Sequence, residues 1–256
     1  MTEDMLSRTR LLLGEPAIET LKRSHVAVFG VGGVGGYATE ALARSGIGEL
    51  TIVDNDRVCV SNLNRQIYAL QSTIGQYKVD VAEQRIHDIN PECVVHKYQM
   101  FYMPDNADQI DLTPFDYVVD CIDTVTAKIE LIRRCHALDI PLICSMGAAN
   151  KMDPTAFRVT DITKTAMDPL AKIIRKKLRL LHIAHQKVIY SEEPPMKPIK
   201  NLDEIADFCT SQDENTNPPK RRSTPASNAF VPATAGLIAA GEVVKDLLIK
   251  AGTMRE

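Results

Sequence analysis

The glycine cluster Gly30-Val31-Gly32-Gly33-Val34-Gly35-Gly36 lies between a Val-rich apolar run at 25–29 and a small-residue amphipathic stretch at 37–44. That order reads as strand, tight turn and helix. Glycines in this setting let backbone N–H groups and a helix N-terminus approach a phosphate. A purely structural turn is the bland alternative, but it leaves Asp54 unexplained. Asp54 closes the next apolar run, at 50–53, at the spacing where an acidic side chain accepts hydrogen bonds from ribose hydroxyls. Gly30, Gly32, Gly33 and Gly35 with Asp54 therefore point to a nucleotide.

The alternation continues along the chain. Segments 94–98, 117–119 and 142–144 read as strands, and 77–89 and 124–138 as helices. Strands alternating with helices predict an α/β, Rossmann-like fold with a mainly parallel sheet and helices on both faces. Beyond Gly147 the pattern weakens to strands at 157–160 and 187–190, a cationic helix near 170–181, and a closing helix at about 233–250. Seven of the 14 prolines fall between Pro194 and Pro232. With little periodicity around them, 191–229 reads as a long mobile loop that orders on a substrate. The expected organisation is a single domain, with an ATP-binding half at 1–145 and a substrate-side and dimer-side half at 146–256.

Composition narrows the partners. A 45% hydrophobic content can build a core, and a formal charge of -3 gives no global positive field, so nucleic acid would have to be met by a local patch. The six cysteines contain no C-x-x-C pair, so no zinc is expected. The histidines His25, His87, His96, His136, His182 and His185 show no ligand spacing with a nearby carboxylate. The acidic start, Met1-Thr2-Glu3-Asp4, is unlike a signal peptide. The closing helix is interrupted at Glu242 and falls short of the roughly 20 apolar residues that span a bilayer, so no transmembrane segment and a cytoplasmic location are expected.

An NAD-dependent oxidoreductase could share Gly30-x-Gly32-x-x-Gly35 and Asp54. The run Asp54-Asn55-Asp56-Arg57-Val58-Cys59-Val60-Ser61-Asn62-Leu63-Asn64-Arg65-Gln66, followed by Lys78, argues for a triphosphate instead. Cleaving the α–β bond of ATP places charge on departing pyrophosphate, which Arg65 and Lys78 could stabilise. Each alone would read as a solvated surface cation. Asp123, in Asp120-Cys121-Ile122-Asp123 at a strand end, could hold Mg²⁺ against phosphates or could simply cap the following helix.

These residues together resemble the ThiF/MoeB superfamily, the bacterial relatives of ubiquitin-activating enzymes. The resemblance rests on the GxGGVGG loop, the D-x-D-x-V-x-x-S-N-x-x-R-Q run, Lys78 and D-C-x-D. It implies that Asp54 meets the ribose, with Asp56 beside it. It assigns Asn62, Arg65 and Lys78 to the phosphates and Asp123 to the metal. Arg8, in Ser7-Arg8-Thr9, looks like the family arginine that crosses from the second subunit of a homodimer. Within the superfamily the chain is most similar to the tRNA threonylcarbamoyladenosine dehydratases, through Leu11-Leu12-Leu13-Gly14-Glu15, Ile89-Asn90-Pro91-Glu92, Asp153-Pro154-Thr155, Asp161-Ile162-Thr163-Lys164-Thr165 and Asp168-Pro169-Leu170. Gly36, where many relatives have Ser, and Ser145-Met146-Gly147-Ala148-Ala149 depart from the pattern.

That resemblance implies ATP-dependent adenylation of the threonyl carboxylate on a modified adenosine in tRNA, then ring closure by the carbamoyl nitrogen with loss of AMP. Lys172, Arg175, Lys176, Lys177 and Arg179 on one helix, with Lys220, Arg221 and Arg222, are candidate RNA contacts; a solvated helix face is the plain alternative. Cys209 could serve the covalent chemistry of sulfur-transferring relatives, although no cation flanks it. Two rivals remain open. One is adenylation of a ubiquitin-like sulfur carrier, with sulfur-carrier or cysteine desulfurase system proteins as partners. The other is an idle nucleotide-binding module or an oxidoreductase.

Overall fold

The computed structural model describes residues 4–199 and 225–255. Its centre is a seven-stranded sheet of order β3-β2-β1-β4-β5-β7-β6. The strands are β1 His25–Phe29, β2 Glu49–Val53, β3 Val94–Tyr98, β4 Tyr117–Asp120, β5 Leu142–Ser145, β6 Phe157–Asp161 and β7 Lys187–Ser191. Strands β1 to β5 and β7 pair in parallel, and β6 closes one edge antiparallel to β7. The sheet runs unbroken across residue 145, so the two expected halves share one layer.

The helices are α1 Ser7–Leu13, α2 Glu15–Arg23, α3 Gly35–Arg44, α4 Lys78–Ile89, α5 Val125–Ala137, α6 Pro169–Leu180 and α7 Val231–Lys250. Strand β1 shows why they cover both faces. Val26 and Val28 pack into one core layer with Leu42, Val79 and Val243, and Ala27 and Phe29 into the other with Leu131, Ile132 and Ile174. Alternating side chains that are all apolar oblige helices on both sides. The tight crossing of α3 and α7 depends on small residues, since a Cβ at Gly236 would stand 2.2 Å from the Val34 carbonyl oxygen. Glu40 on α3, buried beneath this layer, takes Arg85 Nε of α4 at 2.6 Å and Arg44 Nη2 at 2.7 Å.

The strands and the five longer helices lie where the alternation predicts them, with ends shifted by a residue or two. Helices α1 and α2 were not expected. They are short, and their helical register is legible chiefly in the buried Ala17, Ile18 and Leu21 of α2. The expected loop at 191–229 is trimmed at both ends: Ser191 belongs to β7, and residues 226–228 are held by hydrogen bonds to Asn150, Asn64 and Lys151.

Candidate nucleotide site

Strand order reverses between β1 and β4, and a cleft of about 370 Å³ opens there at the carboxyl edge of the sheet. Ligands of open α/β folds sit at this switch point because the loops leaving β1 and β4 diverge to opposite sides. The floor is the glycine loop. Gly30 has φ +85°, and a Cβ there would meet the Cys121 carbonyl oxygen at 2.9 Å. At Gly35 a Cβ would come within 1.7 Å of the Gly30 carbonyl oxygen. These two positions exclude any side chain, and the turn into α3 depends on them. The Arg65 stem and Pro232 of α7 close over Gly33.

Asp54 lies at the end of β2, beside the glycine loop. Its Oδ2 accepts from the Val31 N–H at 2.9 Å and its Oδ1 from the Asp56 N–H at 2.8 Å, tying the glycine loop to the end of β2. Burial pushes the Asp54 carboxyl above its usual range, opposed by the nearby Lys78 ammonium. Lys78, itself buried, donates to Asp56 Oδ2 at 2.6 Å and stands 3.8 Å from Asp54 Oδ1. Its position at the start of α4 is set by the 57–77 connection, where Arg57 stacks on the Tyr77 ring at 3.6 Å and the Lys78 N–H donates to the Asp56 carbonyl.

Asn62 Oδ1 accepts from the Cys59 N–H at 3.1 Å, shaping the turn that presents Arg65. Arg65 Nη1 donates to the Ser61 carbonyl and to Asn64 Oδ1. Asp123 lines the same cleft, exposed, and accepts from Thr124 Oγ1 at 3.3 Å. Thr124, not Asp123, occupies the N-cap position of α5, and no backbone N–H of that helix donates to Asp123. An exposed carboxylate is the hard oxygen ligand that magnesium prefers. Thus Gly30, Gly32, Gly33, Asp54, Asp56, Asn62, Arg65, Lys78 and Asp123 share one cleft.

Other features of the site escaped the sequence. Asp120 and Lys128 form an ion pair at 2.8 Å with both side chains 0% exposed, and Lys128 also donates to the Ser145 carbonyl. This pair locks the ends of β4 and β5 beside Asp123. Met100, Phe101 and Tyr102 add an apolar wall that could take a planar base. Lys151 and Asp168 pair at 3.2 Å under the loop after β5, and Asp168 also caps α6. Residues 225–228 cross the cleft as a strap. Ala226 exchanges two hydrogen bonds with Asn150, at 2.7 and 2.8 Å, Ser227 accepts from Asn64, and Asn228 holds both the Lys151 carbonyl and the first N–H groups of α7. The strap's partners Asn64 and Asn150 are distant in sequence, so no local pattern announces it.

Three expectations need correction or fall elsewhere. Arg175 is committed within the fold, donating to the Thr165 carbonyl at 2.9 Å and to Thr165 Oγ1 at 2.6 Å, so it does not join Lys172, Lys176, Lys177 and Arg179 on the exposed face of α6. His25 and His96, read as lacking a nearby carboxylate, converge on Glu49. Arg8 is exposed on α1, outside the residues that line the cleft. Cys209, Lys220, Arg221 and Arg222 lie outside the described residues.

A switch-point cleft with this floor places the molecule among the α/β nucleotide-binding proteins. Its membership is narrower than that class: the ThiF family model matches residues 6–254, and the chain belongs to the ThiF family. It is similar to the tRNA threonylcarbamoyladenosine dehydratase of Bacillus subtilis (strain 168), 49% identical over 94% of each chain. Against the Escherichia coli (strain K12) protein of the same name the identity is 38%, over 95% of this chain and 93% of that one. The crystal structure of the E. coli tRNA N6-threonylcarbamoyladenosine dehydratase in complex with ATP superposes with a TM-score of 0.84 at 35% identity, covering 97% and 95% of the two chains.

Proposed function

We propose that this protein is an ATP-dependent tRNA threonylcarbamoyladenosine dehydratase. The observation that carries this reading is the near full-length match to enzymes of that name, one of them solved with ATP. The cleft supports it, because its phosphate-side cations suit cleavage of a triphosphate.

In the reaction a carboxylate oxygen of the threonyl group attacks the α-phosphorus, the α–β phosphoanhydride bond breaks, and pyrophosphate leaves. Arg65 and Lys78 hold the charge that builds on the leaving group, and Asp54 fixes the ribose so that the α-phosphorus faces the attacking oxygen. The carbamoyl nitrogen then attacks the activated carbonyl, loses its proton and expels AMP, whose phosphate carries away the oxygen lost from the substrate. The nucleophile and the electrophile belong to one side chain, so no enzyme nucleophile is required; Cys121 in the cleft has its thiol pushed up by burial, away from a reactive thiolate. Asp123 would hold Mg²⁺, which neutralises phosphate charge when bound.

Lys172, Lys176, Lys177 and Arg179 on the exposed face of α6 are the tRNA backbone contacts in this reading. Arg8 completes the site of a second copy in a homodimer. No described helix is long and apolar enough to cross a membrane, and a tRNA substrate suits the cytoplasm.

Incubation with ATP, Mg²⁺ and tRNA bearing threonylcarbamoyladenosine should yield a nucleoside lighter by one water in mass spectrometry, with AMP formed in equal amount. Arg65→Ala and Asp123→Ala should each reduce AMP formation by roughly 10²–10³-fold with unchanged circular dichroism. Parent-level activity in both variants would discard the residue assignment. Pyrophosphate exchange stimulated by a ubiquitin-like carrier and not by the modified tRNA would favour the sulfur-carrier reading instead.

A further inference from the structure

Three ligating side chains meet at the end of the sheet opposite the nucleotide cleft. His25 opens β1, Glu49 opens β2, and His96 lies within β3. Parallel register sets His25 beside Glu49 and Thr51 beside His96. Residues two apart on a strand share a face, so these four side chains project from the same side of the sheet. His25 Nδ1 is 3.3 Å from Glu49 Oε1, and His96 Nε2 is 2.7 Å from that same oxygen. One ligand atom from each of the three lies within 4.8 Å of the others.

The buried His25 ring is held in a fixed orientation. Its Nε2 stands 2.8 Å from Thr51 Oγ1, and Phe115 packs edge-on with ring centroids 4.8 Å apart. When Nε2–H donates to the threonine hydroxyl, Nδ1 carries the lone pair and faces Glu49 and His96. Metal-binding histidines are commonly oriented in this way through their second nitrogen. Glu49 and His96 side chains are 39% and 46% exposed, which supplies an entry path and room for a water ligand.

We infer that His25, Glu49 and His96 form a binding site for a divalent transition-metal ion of the zinc class. Two imidazole nitrogens and one carboxylate oxygen suit zinc or cobalt rather than magnesium or calcium, which favour oxygen alone. With bonds of about 2.0–2.1 Å, tetrahedral ligand atoms stand about 3.3 Å apart; His25 Nδ1 and Glu49 Oε1 already have that spacing, and the exposed His96 ring would shift to complete the set. The bound ion would clamp β3, an edge strand, to β2 and β1. It would act on the stability of the edge and not on the reacting atoms at the far end.

Cobalt titration of the full chain, freed of metal by chelator and without nucleotide, tests the assignment. One Co²⁺ per chain should bind with a ligand-field band and no thiolate charge-transfer band, and Zn²⁺ should displace it. His96→Gln and Glu49→Gln should each weaken binding by about tenfold or more while ATP affinity stays at the parent level. Zn²⁺ should raise the melting temperature of the parent and not that of His96→Gln; both variants alter exposed side chains, and melting without metal verifies their folding. Equal cobalt affinity in parent and His96→Gln, or a thiolate band at the first equivalent, would overturn the proposal.

Discussion

Asp54 stands where structural and functional demands oppose each other. Its carboxyl is held above the usual range by burial despite Lys78, so its folded pKa exceeds its unfolded one. The stability it contributes is present at low pH and lost as pH rises through the folded value. Asp54→Asn should therefore flatten this pH dependence of the melting temperature, although its amide can accept only one of the Val31 and Asp56 N–H groups. It should also weaken ATP binding by about 1.5–3 kcal/mol, or roughly 10- to 150-fold in Kd, as measured by calorimetry. In the parent, ATP affinity should begin to fall on acidification at a pH above the ordinary aspartate range. Lys128 poses a simpler case. Removing its charge strands Asp120 in a fully buried position, and Lys128→Met should cost about 3–5 kcal/mol in urea denaturation.

Between elements, the packing of α3 on α4 carries its own titration. Burial pushes the Glu40 carboxyl up, but hydrogen bonds from Arg85 and Arg44 outweigh it and leave the group below its usual value. The resulting stability is present above the unfolded glutamate pKa of about 4.3 and disappears as pH falls through the lowered folded value. Arg85 is 38% exposed, so solvent screening limits the contribution to about 1 kcal/mol. Glu40→Gln should lower the melting temperature at pH 7 by about 2–4 °C, and the gap should close in acid. Elements were the scale most legible in the sequence. The 25–29 run and the glycine loop announce β1 and α3 through neighbours in the chain, whereas α1 is a helix of 7 residues with none buried and leaves little periodic trace.

At the scale of the whole molecule, the cleft depends on segments far apart in the chain. The strap at 225–228 reaches Asn64 and Asn150, and α7 brings Pro232 onto Gly33. In the proposed dimer the exposed Arg8 extends this dependence to a second chain. Mixing Arg8→Ala with Arg65→Ala chains, each inactive alone, should restore about one quarter of parent AMP formation. Random pairing makes half the dimers mixed, with one intact site each. No recovery in mixed dimers would place Arg8 outside the partner's site.

Local sequence determined the strands, the longer helices, the glycine turn and the chemical character of Asp54, Arg65, Lys78 and Asp123. Those properties arise from steric and hydrogen-bonding preferences within a few residues of one another. Tertiary structure alone decided that Asp120 would pair with Lys128, that Lys151 would find Asp168, that Arg175 would turn inward to Thr165, and that His25 and His96 would meet at Glu49. Each of these depends on strand order and register, which juxtapose distant side chains. No spacing along the chain encodes that juxtaposition until the sheet has assembled.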